Sequence, residues 1–168
     1  GALTLGIVNA VGTTIPSEND GGAYLRVGTE SGVASTKAFT AQATALLMLA
    51  LSAGRLRGRS CSDGMEIVQA LANLPHDANR MIAASEQLVH LAAKYGDVPS
   101  IYFLGAGPFF PTVMEGALKL KEVAYIHAEA YATGELKHGP LALVTDGFPV
   151  LVLAPRGGTS PQTMSALA

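Results

Sequence analysis

Residues 100–128 read SIYFLGAGPFFPTVMEGALKLKEVAYIHA, and this stretch decides the fold class. Ser100 to Ala106 (SIYFLGA) is an uncharged, apolar run bounded by Pro99 and by Gly105-Ala106-Gly107-Pro108. Such a run reads as a parallel strand buried on both faces. A helix is predicted next, from about Pro111 to Ala128. Val113, Ala117, Leu120 and Ala124 fall on one of its faces at 3.6 residues per turn, the spacing of a helix packed on a sheet. Downstream, Gly134 to Val144 holds a short helix and Pro149 to Ala154 (PVLVLA) a further strand. Upstream, Leu3 to Asn9 (LTLGIVN) and Ala23 to Val27 (AYLRV) read as two more strands. Ser35 or Thr36 caps a long helix to about Leu56. Asp63 to Asn73 is amphipathic, with Met65, Val68 and Leu71 on one face. Pro75 suits the first turn of another helix, which runs to about Lys94 before Gly96 and Pro99 end it. Strands alternating with helices in this way predict an α/β protein with doubly wound parallel sheets. The helical stretch from Ser35 to Gly96 is too long for one crossover. It divides the chain into the tail of one α/β unit (1–74), a helical connection (75–99) and the head of another (100–168).

Composition narrows the function. The 168 residues are 49% hydrophobic and 14% charged, which excludes disorder. Eleven basic against 13 acidic residues give a net charge of −2, so no basic field is present for nucleic acid or anionic lipid. A lone cysteine, Cys61, forms no internal disulfide and fits a reducing, cytoplasmic setting. From Gly1 onward no basic n-region or cleavage-site pattern of a secretory signal is visible, and the last residues, after Thr159-Ser160-Pro161, read as a helix just begun. Both ends read as internal to a longer chain. From Ala38 to Gly54 the sequence AFTAQATALLMLALSAG is uncharged. It is shorter than the roughly 20 apolar residues of a spanning helix and carries Thr40, Gln42 and Thr44. A buried helix of an α/β domain is expected there, and no membrane partner.

The residues able to carry chemistry lie mostly beyond residue 110. Glu115, Lys119 and Glu122, at i, i+4 and i+7, form a polar stripe between the sheet-facing side and a second apolar side of Met114, Leu118 and Tyr125. Two readings stand side by side. The stripe is either a pair of solvated helix ion pairs, worth a few tenths of a kcal/mol each, or a carboxylate base beside its electrostatic partner in a cleft. In Gly134-Glu135-Leu136-Lys137-His138-Gly139-Pro140, an imidazole precedes a Gly-Pro pair that fixes the backbone and can aim it. His127 goes with the apolar face as a core histidine, and His76 and His90 are solvated. No spacing of His, Cys and acids makes a metal site. Gly28 to Lys37 (GTESGVASTK) leads into a helix N-terminus, which favours anions or sugar hydroxyls, although an ordinary cap explains it equally. Gly105-Ala106-Gly107 lacks the third glycine of a dinucleotide fingerprint, with Phe110 in its place. No cofactor is expected.

Three ordered blocks, GTESGVASTKAFTAQ (28–42), EGALKLKEVAYIHAEAY (115–131) and GELKHGPLALV (134–144), together resemble the isomerase region of the glucosamine-6-phosphate synthases, the isomerising glutamine–fructose-6-phosphate amidotransferases. The resemblance covers nearly the whole chain, with 60–100 matching in outline. It implies flavodoxin-like, three-layer αβα sugar isomerase (SIS) domains: 1–74 as the second half of a first, 100–168 as the first half of a second. It also implies roles. Glu122 moves a proton between C1 and C2 of fructose 6-phosphate, and Lys119 assists proton movement at the neighbouring oxygen. His138 helps open the sugar ring from the partner subunit of a homodimer, and Val33, Ala34 and Ser35 line the sugar pocket. The product is glucosamine 6-phosphate, made with ammonia from a glutaminase domain that these residues do not include. The family's phosphate loop and its Schiff-base lysine also lie outside them. A SIS-domain sugar-phosphate deaminase or deglycase, and a non-catalytic sugar-phosphate-binding regulator, are the competing readings.

Overall fold

A computed structural model describes residues 1–154. The chain divides into two compact units, Gly1–Ser85 and Glu86–Ala168. In the first, strands β1 (Leu5–Val8) and β2 (Gly21–Tyr24) pair in parallel, Leu5 opposite Gly21 and Val8 opposite Tyr24, with the single-turn helix α1 (Thr14–Ser17) between them. Asp20 ties the entry of β2 to the chain before β1, accepting hydrogen bonds from the Thr4 amide at 2.8 Å and the Thr4 hydroxyl at 2.9 Å. These bonds to its charged form, the backbone one foremost, hold the Asp20 carboxyl below its usual range. Asn9 does the same beyond the strands: its Nδ2 donates to the Gly28 carbonyl at 2.8 Å and its Oδ1 accepts from the Val27 amide at 3.0 Å. Helix α2 (Lys37–Leu56) and the 24-residue helix α3 (Cys61–Ala84) complete this unit.

The second unit holds helix α4 (Val89–Tyr95), strand β3 (Ser100–Gly105), helix α5 (Phe109–Ala124), strand β4 (His127–Ala132), 3-10 turns at Thr133–His138 and Pro140–Leu143, and strand β5 (Val150–Leu153). The three strands are all parallel, in the order β4-β3-β5. Chain order 2-1-3 is the opening of a flavodoxin-like sheet. Alternate side chains of β3 leave on opposite faces, as strand geometry requires. Phe103 joins Val113, Ala117 and Ala128 under α5, with Ile101 and Leu120 packed at the border. Tyr102 and Leu104 go the other way, to Leu136, Tyr131, Val144 and Phe148. There the Tyr102 ring meets Tyr131 and Phe148 edge-on, at centroid distances of 5.2 and 4.7 Å, a favoured aromatic geometry. Helix, sheet and turn segment make the expected three-layer α/β arrangement.

Several boundaries differ from the sequence reading. The helix expected to reach Ala128 stops at Ala124, where Tyr125 takes a left-handed conformation (φ 58°), and His127–Ala132 forms a strand that helical periodicity concealed. His-Ala-Glu-Ala-Tyr-Ala alternates with period two, but three alanines, the best helix formers, mask that signal. His127 is consequently no core histidine. Its side chain is 61% exposed, and its Nδ1 lies 3.0 Å from the Ser100 hydroxyl. Pro75 does not begin a helix but sits inside α3. Thr36 is the N-cap of α2 without a side-chain capping bond. Strand β2 begins at Gly21 and ends at Tyr24 rather than spanning 23–27, and the helix expected in 134–144 is a pair of 3-10 turns. Helix α2 is not buried: none of its residues is, although it packs along α3. It is the one described helix long and apolar enough, by length and composition, to cross a membrane. The helix expected after Thr159-Ser160-Pro161 lies outside the described residues.

Gly105 fixes how closely α5 follows β3. A Cβ built there would sit 2.7 Å from the Phe109 carbonyl oxygen and 3.0 Å from Val113 Cγ2, so the first turn of α5 would have to lift. Gly105→Ala is expected to cost about 1–3 kcal/mol, as overpacking in close-packed interiors does, read as a lower denaturation midpoint at unchanged slope in urea. A loss under about 0.5 kcal/mol, the size of a neutral surface change, would show that α5 is free to shift.

Candidate active site

Helix α5 carries the polar stripe. Val113 and Ala117 are buried against the sheet, which fixes the rotation of the helix and turns Glu115, Lys119 and Glu122 to its flank. Lys119 Nζ donates to Glu122 Oε2 at 2.6 Å and lies 3.4 Å from Glu115 Oε1. The three side chains are only 20, 21 and 27% exposed for Lys119, Glu115 and Glu122 respectively. This sets them apart from the solvated Asp77–Arg80 pair on α3, which is 58 and 68% exposed and of the kind worth little. The Lys119 ammonium is held above the ordinary lysine value of 10.5, first by its hydrogen bond to Glu122 and also by Glu115, against the opposing effect of burial. A lysine raised in this way keeps the full benefit of its pairing below the unfolded value and loses it only as pH rises through the folded one. At neutral pH the group is therefore a fixed cation.

Beside this stripe, Met114 and Leu118 are 51 and 41% exposed, and Tyr125 is 90% exposed. The second apolar surface they were expected to meet is not supplied by the described residues. Lys119 also lies ten residues into α5, about 15 Å along its axis at 1.5 Å per residue. The pair thus sits far down the helix from the strand C-termini, where open α/β sheets usually bind ligands.

The structure brings Lys119 and Glu122 together as expected. His138 ends the Thr133–His138 turn and pairs with Glu135, Nδ1 to Oε2 at 3.1 Å, with its side chain 72% exposed. Gly139, at φ 148°, and Pro140 follow it, so the backbone behind the imidazole is constrained as the sequence suggested. Glu135 was not singled out in the sequence, though its i, i+3 spacing to His138 was visible. Val33, Ala34 and Ser35 lie in the loop between β2 and α2, in the other unit. Val33 is 91% exposed. The Ser35 hydroxyl donates to Glu30 Oε1 at 2.5 Å, and Lys37 Nζ donates to the Thr29 carbonyl at 2.7 Å, so this loop is braced by its own polar groups.

Strand β4 adds a row that the sequence reading missed. His127, Glu129 and Tyr131 share one face of it: His127 Nε2 is 3.7 Å from Glu129 Oε1, and the Tyr131 hydroxyl donates to Glu129 Oε2. That bond, ahead of burial, pushes the Tyr131 phenol from 10.0 up to about 12. A cavity of about 430 Å³ between α2 and α3, lined by residues such as Leu47, Leu51, Met65 and Val68, is apolar and holds none of the candidate residues. Among the described residues no group of three or more His, Cys, Asp and Glu side chains could hold a metal ion.

Comparison with known proteins bears on this geometry. Residues 94–167 match the SIS domain family. The chain is 49% identical over 152 residues to the glutamine–fructose-6-phosphate aminotransferase [isomerizing] of Yersinia pseudotuberculosis, covering 90% of this chain and 25% of that protein. It thus spans about a quarter of the length of the curated relatives it matches. Among solved structures, the C-terminal domain of glucosamine-fructose-6-phosphate aminotransferase from Francisella tularensis superposes with a TM-score of 0.92 at 36% identity, over 97% of this chain and 46% of that one. Glucosamine-6-phosphate deaminase from Thermotoga maritima superposes with a TM-score of 0.60 at 26% identity, over 91% of this chain and 44% of that one. Residues 94–167 thus match the SIS domain family, and the chain as a whole is similar to a part of the glutamine–fructose-6-phosphate aminotransferases [isomerizing].

Proposed function

We propose that this chain works as the middle of the isomerase region of a longer cytoplasmic enzyme that makes glucosamine 6-phosphate from fructose 6-phosphate and glutamine-derived ammonia. Residues 1–74 would belong to a first SIS domain and 100–168 to a second, joined by 75–99. A glutaminase domain elsewhere in the longer protein would supply the ammonia. The observation that carries the reading is the partly buried Lys119–Glu122 pair at 2.6 Å, on a helix whose sequence context matches the aminotransferase.

Isomerisation between a 2-keto and a 1-aldo sugar needs a base that takes a proton from one carbon and returns it to the next, with a cation to steady the oxyanion formed between. Glu122 is the carboxylate of that kind, and Lys119 the cation. Because its two carboxylate neighbours keep Lys119 protonated, its contribution is charge stabilisation at the neighbouring oxygen rather than proton release. His138, presented on a constrained turn and paired with Glu135, suits ring opening from the partner subunit of a homodimer. Val33, Ala34 and Ser35 line the sugar pocket on this reading, with the loop braced by Glu30 and Lys37. The deaminase reading has the weaker structural likeness, a TM-score of 0.60 against 0.92. A non-catalytic binding protein would have no use for a partly buried carboxylate–ammonium pair.

Glu122→Gln in the full-length protein keeps the shape and removes the base. Product formation is expected to fall by about 10²–10⁴-fold, the usual weight of general base catalysis, while glutamine hydrolysis persists. Near-normal synthesis of glucosamine 6-phosphate by this variant would remove Glu122 from the base role. For His138, subunits carrying His138→Ala and subunits carrying Glu122→Gln, each inactive alone, are expected to regain activity when mixed, because a heterodimer holds one intact site. No recovery despite demonstrated subunit exchange would place His138 in its own chain's site.

A further inference from the structure

We propose that Glu115 is a positioning residue for Lys119 and that it thereby sets how firmly Glu122 is held before Glu122 takes the substrate proton. This rests on the reading of Glu122 as the base. An ammonium has three donors and no acceptor, and Lys119 divides its attention unequally. At 2.6 Å Glu122 holds a short, charge-assisted bond. At 3.4 Å Glu115 is in ion-pair range but beyond a good hydrogen bond. Among the described residues, the ion-pair partners of Lys119 are these two carboxylates, both on α5. They stand at i−4 and i+3, so they bracket the ammonium along the axis of a helix fixed by Val113 and Ala117.

The chemistry gives the second carboxylate a use. As the carbon–hydrogen bond breaks, its proton passes to a Glu122 carboxylate oxygen, its electron pair becomes the carbon–carbon double bond, and the carbonyl π pair moves onto oxygen, forming the enediolate. Glu122 is then neutral and no longer a counter-ion. Glu115 remains an anion at the other side of Lys119, so the ammonium stays charged and in place to face the new oxyanion. The C1 hydroxyl proton then passes to the C2 oxyanion, the pair left on the C1 oxygen forms the new carbonyl, and the double-bond pair takes the proton from Glu122 at C2, which makes Glu122 again an anionic partner of Lys119. With Glu115 uncharged, Lys119 has one anionic partner, holds Glu122 more tightly and makes it a weaker base. An ordinary helix ion pair, by contrast, would affect stability alone.

The test is the pH dependence of kcat in the full-length protein. Glu115→Gln is expected to lower kcat about tenfold with KM little changed, and to move the acid limb of the kcat profile to lower pH by roughly one unit, as loss of a neighbouring like charge does. Glu115→Asp, which keeps the charge at shorter reach, should restore part of both. Glu115→Gln should add nothing to the loss already caused by Lys119→Met. An unmoved acid limb, whether kcat is unchanged or falls by the same factor at every pH, overturns the proposal. If Glu115→Gln fails to fold, the aspartate variant is read by the same limb against the parent: a displaced limb supports the role and a coincident one overturns it. Activity in Glu122→Gln would instead defeat the base reading itself. An inactive Glu122→Gln beside an unmoved limb in Glu115→Gln defeats this inference alone.

Discussion

The close seating of α5 on β3 and β4 is the contact on which the rest of this unit depends. It is made possible by the missing side chain at Gly105 and secured by Phe103, Val113, Ala117 and Ala128. Interiors pack at crystal-like density, so this contact admits one rotation of the helix about its axis. Once Val113 and Ala117 face the sheet, Lys119 and Glu122 must face the flank. A helix held by its apolar stripe thus becomes a rigid mount for a charged one. Sites built on such elements keep their geometry better than sites on loops.

Placing ions on a flank that is neither core nor open surface has an electrostatic consequence. Coulomb attraction grows as water is excluded, while full burial would charge a desolvation cost that a single pair seldom recovers. With roughly a fifth to a quarter of each side chain exposed, Lys119 keeps its proton and its two carboxylate partners keep contact with water. The uncovered Met114, Leu118 and Tyr125 beside them are the same compromise seen from the apolar side. A pair in this setting can respond to a third charge brought close to it, which a pair in bulk water would hardly notice.

The two units differ in how they are held. In Glu86–Ala168 both faces of the sheet are covered, one by α5 and one by the turn segment over Tyr102 and Leu104, as parallel sheets require. In Gly1–Ser85 the parallel pair β1–β2 has mostly exposed positions, and α2 has no buried residue. Its order rests more on local polar ties: Asp20 to Thr4, Asn9 to Gly28 and Val27, Ser35 to Glu30. The Thr40, Thr44 and Ser52 hydroxyls of α2 bond back to carbonyls four residues earlier, which lets a long apolar helix carry polar side chains without unpaired groups.

The sequence by itself determined the α/β class, the parallel strands around 5–8, 100–105 and 150–153, and the stripe of Glu115, Lys119 and Glu122. Each of these is written locally, in a continuous apolar run or in a 3.6-fold period that neighbouring residues carry unaided. It did not reveal β4. The run HAEAYA follows a strong helix, its alanines satisfy helical propensity, and only pairing with β3 across a register of Ser100 to His127 makes it a strand. The Tyr102–Tyr131–Glu129 grouping and the Glu30 partner of Ser35 were likewise invisible, because each depends on side-chain direction rather than on residue type. Above all, spacing allowed Lys119 either carboxylate equally. The tertiary structure chose Glu122 for the short bond and left Glu115 in reserve, because sheet packing on Val113 and Ala117 fixes which way the lysine leaves the helix.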